Sequence, residues 1–97
     1  MKSLRYAPSA EADLFEIFQA ISLDNPPAAR RFNDQLKTAI LRLAHYPYSA
    51  PSRESIRPGM RGLKVGRYIA YYRVSADDVL IVRILHAKRD IGSSFFD

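Results

Sequence analysis

Residues Met60 to Val74 read MRGLKVGRYIAYYRV. Two runs rich in β-branched, aliphatic and aromatic residues, Arg61–Val65 and Tyr68–Val74, meet across the dipeptide Gly66-Arg67. A connection that short joins antiparallel neighbours, so the stretch reads as a β-hairpin. Downstream, SADD (Ser75–Asp78) turns the chain into VLIVRILH (Val79–His86), which extends the hairpin into a three-stranded meander.

Upstream the period changes from 2 to 3.6. KSLRYAP (Lys2–Pro8) is a short extended segment that Pro8 ends, because proline lacks a ladder donor. Ser9 is expected as a helix N-cap, with Glu11 and Asp13 in the first turn near the positive helix end. Ala10, Leu14, Ile17, Phe18 and Ile21 then form one face of an amphipathic helix. Asp24-Asn25 before Pro26 marks a second start, and Ala28, Phe32, Leu36, Ala39, Ile40 and Leu43 repeat the spacing. The connection between them is a few residues, so the helices run antiparallel. Prolines 47, 51 and 58 with Gly59 punctuate a loop from about Tyr46 to Met60. The expected fold is α+β: an N-terminal strand, an antiparallel helical hairpin, then the meander, forming one small sheet with the helices on one face. One domain is expected over residues 1–97.

Composition narrows the function classes. The chain is 47% hydrophobic and 26% charged, a globular balance. No apolar run approaches the roughly 18 residues a bilayer requires, and the first twenty residues lack a signal-peptide core, so a cytoplasmic protein without a membrane role is expected. Cysteine is absent, which excludes disulfides, thiolate metal sites and a cysteine nucleophile. The net charge of +5 is uneven: residues 1–52 carry six Lys/Arg against five Asp/Glu, residues 53–97 nine against five. Eleven of the fifteen cations are arginine, suited to bidentate contact with phosphate or carboxylate. An acidic partner follows, either nucleic acid, whose direct binding is allowed but not required, or a protein with carboxylates, unless the arginines serve only solubility.

Strand alternation separates two faces. Leu80, Val82, Ile84 and His86 share one; Val79, Ile81, Arg83 and Leu85 share the other. Arg83 in mid-strand assigns the first set to the helix side. On the preceding strand, Ile69, Tyr71 and Arg73 alternate with Tyr68, Ala70, Tyr72 and Val74. Arg73 and Arg83 are therefore expected on the face away from the helices, among apolar residues. Such a face suits an amphipathic acidic segment, unless its arginines pair internally with Asp77 or Asp78.

Chemistry is sparse. ILHAKRD (Ile84–Asp90) has the look of a general base with a phosphate clamp. Period 2 instead sets His86 on the core side, which favours a structural histidine, with Asp90 a partner for Arg89 or a backbone donor. His45, the other histidine, is remote in sequence, and no metal-ligand spacing, P-loop, dinucleotide fingerprint or nucleophile elbow occurs. No cofactor or metal is expected. Catalysis, if any, reduces to acid/base work by Lys64, His86 and Arg89.

ADLFEI (Ala12–Ile17), NPPAA (Asn25–Ala29), the hairpin stretch and VLIVRILHAKRD (Val79–Asp90), in this order and spacing, resemble the ParE branch of the RelE/ParE toxin superfamily, the plasmid stabilisation proteins. The likeness runs from about Tyr6 to Asp90. It implies the toxin of a type II toxin–antitoxin pair, held by an acidic ParD-like antitoxin whose C-terminal segment wraps it. ParE toxins are associated with DNA gyrase, whereas RelE toxins cleave messenger RNA at the ribosome. RelE relatives carry a basic set on the central strands and an arginine and a tyrosine near the C-terminus. Arg89 matches that arginine and Lys64 fits the basic set, but Ile69 stands where an arginine is usual and Phe95 where the tyrosine is. Losing two groups that stabilise a cleaving phosphate argues for a binding toxin, although Tyr71 or Tyr72 offers a substitute hydroxyl. A relative that keeps only antitoxin binding is the third reading. The expected antitoxin contacts are Ile69, Tyr71, Arg73, Ile81, Arg83 and Leu85. The expected target contacts are Arg61, Lys64, Arg67, Lys88 and Arg89.

Overall fold

The structure, a computed structural model, describes residues 1–89 and 91–96. Strand β1 (Ser3–Tyr6) leads into helix α1 (Pro8–Asp24) and helix α2 (Pro26–Leu41), which ends in a short 3₁₀ turn, Arg42–Ala44. Strands β2 (Met60–Val65), β3 (Tyr68–Val74) and β4 (Asp78–His86) follow, then a second 3₁₀ turn, Ser93–Phe96. The sheet order is β1-β4-β3-β2. The meander is antiparallel, and β1 returns parallel to β4 at the opposite edge from β2. The α+β expectation holds.

Local chemistry explains most boundaries. Asn25 is the one residue between the helices: its amide bonds Ile21 O, and its side chain accepts from the Ala28 amide at 3.1 Å, capping α2 ahead of Pro26. At α1 the expected cap is corrected. Ala7 occupies the N-cap without a side-chain bond, and Pro8 opens the helix because its missing N–H costs nothing in the first turn. Ser9 therefore lies inside the helix, where its hydroxyl donates to the Val82 carbonyl at 2.9 Å. Gly66 takes φ +59 in the hairpin turn, a region open to glycine at little cost. Gly62 is required for another reason: a Cβ there would lie 2.9 Å from Ile69 Cγ2.

Leu36, Ile40 and Leu43 pack with Tyr72, Val79, Ile81 and Ile84 into the principal core between the hairpin and the sheet. Tyr72, fully buried, donates its hydroxyl to Pro47 O at 2.7 Å and so ties the long loop to the core. A second apolar cluster forms on the other face of the sheet. Met60, Ile69, Tyr71 and Leu85 are buried there beneath Ile56, Ile91, Phe95 and Phe96.

A β-bulge corrects the face assignment in β4. Tyr71 pairs with Arg83, whereas Tyr72 pairs with Ile81, leaving Val82 as an extra residue. Strict alternation fails across such an insertion. Ile84 and His86 keep the helix side, as expected, but upstream of the bulge the helix side holds Val79 and Ile81 rather than Leu80 and Val82.

Candidate partner-docking surfaces

The bulge lies where β1 stops. Tyr6 is the last β1 residue in register, opposite Ile81, so beyond it β4 has no strand on that side among the described residues. Side chains of α1 take over the bonding. Ser9 holds the Val82 carbonyl, and the Asp13 carboxylate accepts the Ile84 amide at 2.9 Å. Asp13 also grips the Arg83 guanidinium twice, at 2.7 and 2.8 Å. This hydrogen bonding holds the Arg83 pKa above its ordinary value, against the opposing effect of burial. Arg83 further donates to Phe95 O at 2.8 Å. Its partner is thus Asp13, not Asp77 or Asp78. The signal was present in the sequence: Asp13 falls three residues after Ala10 on the apolar face of α1.

The six expected antitoxin contacts divide accordingly. Ile69, Tyr71 and Leu85 lie on the face away from the helices, but the C-terminal segment covers them, with the Phe96 ring 5.3 Å from Tyr71 in an edge contact. Ile81 is corrected outright: the bulge sets it in the principal core at 0% exposure. Arg83 is occupied internally. Arg73 alone remains exposed, beside Arg5 and Asp78 in a shallow cleft.

The basic candidates gather better. Arg67 O accepts the Ala87 amide at 2.7 Å, which brings the β2–β3 turn against the end of β4. Lys64, Arg67, Lys88 and Arg89, all exposed, thus cluster at one end of the sheet. Arg89 lies over the Phe95 ring, 5.1 Å from its centroid. Arg61 serves the fold instead: it donates to Tyr48 O and Ala50 O, at 3.3 and 2.8 Å, and lies over the Tyr48 ring.

The three acid/base candidates do not converge. Lys64 pairs with Ile69, and Ile69 with Leu85, on the face away from the helices. His86 pairs with Tyr68 on the helix side, its ring 5.3 Å from the Tyr68 ring. Its Nδ1 accepts the Lys88 amide at 3.1 Å, which leaves Nε2 to carry the proton of the neutral ring. Asp90, the residue expected to pair with Arg89, lies outside the described residues.

A small sheet with a helical hairpin on one face and a cationic end sets this chain among the small toxins of type II toxin–antitoxin systems. A family model described as ParE toxin of type II toxin–antitoxin system, parDE, matches residues 4–91, and the chain belongs to that family. It is 33% identical over 96 residues to Toxin ParE1 of Mycobacterium tuberculosis, covering 92% of this chain and 95% of that protein. Toxin ParE3 of Caulobacter vibrioides is 28% identical over 83 residues, covering 84% and 82%. Among solved structures, the chromosomal ParDE system from P. aeruginosa aligns with TM-score 0.79 at 25% identity, covering 91% of this chain and 98% of that one. The RelBE2 toxin–antitoxin complex from Mycobacterium tuberculosis shares the fold, with TM-score 0.62 at 22% identity and coverage of 88% and 96%.

Proposed function

We propose that this ParE-family chain acts by binding: it inhibits DNA gyrase and is neutralised by an acidic ParD-like antitoxin. The observation that carries the binding reading is the separation of Lys64 from His86 on opposite sides of the sheet. Metal-free phosphodiester cleavage needs its base and its phosphate-stabilising cation within reach of one reacting group. Lys64, Arg67, Lys88 and Arg89 supply instead a convergent cationic surface, which draws an acidic macromolecule by long-range attraction. Gyrase is a cytoplasmic target, and no helix among the described residues is long and apolar enough to cross a membrane.

Induced expression in a host lacking the antitoxin tests this. Growth arrest with gyrase-dependent DNA breaks or blocked replication, and messenger RNA intact, is the expected result. Cuts in ribosome-bound messenger RNA would establish the RelE-like nuclease in its place. Normal growth with both nucleic acids intact would identify a relative that retains only antitoxin binding.

A further inference from the structure

His86 is the last residue of β4 and the first of the turn that carries Lys88 and Arg89. Two of its atoms hold that turn. Its carbonyl accepts the Arg89 amide at 3.0 Å, and its ring Nδ1 accepts the Lys88 amide at 3.1 Å. The residue between them, Ala87, donates to Arg67 O at 2.7 Å and fastens the turn to the β2–β3 hairpin. A side-chain acceptor that captures the amide two residues on is the device by which Asn and Asp shape tight turns. Here an imidazole does the same with its atom at the δ position. The bond needs a neutral ring with the proton on Nε2, since a proton on Nδ1 would set donor against donor.

The ring itself is held from the side. His86 pairs with Tyr68 across the sheet, and the Tyr68 ring meets it edge-on, with centroids 5.3 Å apart and planes at 68°. Phe32 of α2 packs on Tyr68 in turn, at 5.2 Å. Phe32 Cε1 also lies 3.6 Å from where a Cβ on Gly66 would stand, so the same ring backs the hairpin turn. Three rings thus run from α2 through β3 to the end of β4, and they fix the direction of the acceptor.

What this order serves lies at the surface. Lys88 and Arg89 are exposed, and neither has a carboxylate partner among the described residues. His86 belongs to neither apolar cluster, and its bond to Lys88 is exposed, so the core gains little from it. A partner that needs two cations at fixed positions gains more, because a turn already ordered loses little freedom on binding.

We propose that His86 is a positioning residue of the basic end: its Nδ1 sets the turn that presents Lys88 and Arg89, next to Arg67, to the target. This inference rests on the reading of that end as the gyrase contact and names the group that fixes its geometry.

The test uses three variants of the whole chain. His86→Asn keeps an acceptor at the δ position, His86→Gln moves it one bond further out, and His86→Ala removes it. All three lose the ring contact with Tyr68, so the comparison of Asn with Gln isolates the acceptor. Lys88 amide exchange is followed by nuclear magnetic resonance, and inhibition of purified DNA gyrase is titrated alongside thermal midpoints. In His86→Gln and His86→Ala the Lys88 amide is expected to exchange about tenfold faster. Inhibition by both should weaken by about fivefold or more, the worth of one hydrogen bond. His86→Asn should stay near the wild type in exchange and inhibition, while the three midpoints remain within a few degrees of one another. Asn as impaired as Gln, or wild-type inhibition by Gln and Ala, overturns the positioning role and leaves the gyrase reading intact. A wild-type chain that leaves gyrase uninhibited overturns the gyrase reading, and the same ranking of variants in growth arrest then decides the role of His86. A wild-type chain that does not arrest growth either overturns both.

Discussion

Asp13 of α1 holds the Arg83 guanidinium on both carboxylate oxygens and accepts the Ile84 amide with one of them. One side chain thus secures the helix to β4 at the place where β1 ends and β4 bulges. Both members are largely buried, with side-chain exposures of 10% for Asp13 and 22% for Arg83. Removing one member leaves the other buried without its counter-charge, at a cost of about 3 kcal/mol. Asp13→Ala is therefore expected to lose about that much stability, read as a lower urea midpoint by circular dichroism.

The same pair decides how charge reversal can be used. Arg83→Glu sets two carboxylates together at a largely buried site, and loss of the folded state is expected by circular dichroism. Arg73→Glu, on an exposed residue of the same strand pair, should leave the melting temperature within a few degrees. Any fall in antitoxin affinity in Arg73→Glu then reports the contact, which the Arg83 variant cannot do.

At the basic end, Lys88→Ala with Arg89→Ala removes two exposed cations beside the hairpin turn. This double variant is expected to abolish growth inhibition while keeping antitoxin affinity within about threefold of the wild type. Full toxicity of the double variant would show that the target binds elsewhere.

Phe95 and Phe96 cover Ile69, Tyr71 and Leu85. Replacing both by Ala uncovers that apolar face and removes the ring contact with Tyr71. A loss of about 2 kcal/mol is expected, since both phenylalanines are only partly buried. Stronger binding of an apolar dye at neutral pH checks that the face has opened, and dye binding equal to the wild type would show that another segment covers it.

Burial raises the pKa of Tyr6, Tyr71 and Tyr72 above the ordinary value; nearby Arg53 opposes this at Tyr71, and Arg61 and a backbone hydrogen bond oppose it at Tyr72. The unfolded chain ionises its tyrosines near pH 10, while the folded chain keeps these three protonated to higher pH. In that window the unfolded state binds fewer protons, so stability falls as pH rises, and below it the full contribution is present. Urea midpoints are expected to hold steady from neutral pH to about 9 and to drop beyond 10. Tyr72→Phe should soften that drop and lower stability near neutrality by about 1 kcal/mol, through the lost bond to Pro47 O.

Local rules read from the sequence account for the elements. Gly66 marked the hairpin turn, Asn25 and Pro26 the start of α2, and apolar spacing the faces of both helices, because turns, caps and amphipathic stripes depend on residues a few positions apart. The faces of β3 were legible for the same reason: nothing interrupts its alternation between Tyr68 and Val74. Legibility ended at Val82. No residue type announces the bulge there; it stands where β1 runs out and α1 supplies Ser9 and Asp13 to the backbone of β4, groups some 70 residues away in the chain. That single insertion moved Ile81 into the core. The ParE-like toxin fold and the basic character of the second half were thus determined by the sequence itself. Which apolar surfaces stay open was decided only in three dimensions, where the C-terminal segment closes one face of the sheet and, among the described residues, no strand pairs with the outer edge of β1 beside Leu41.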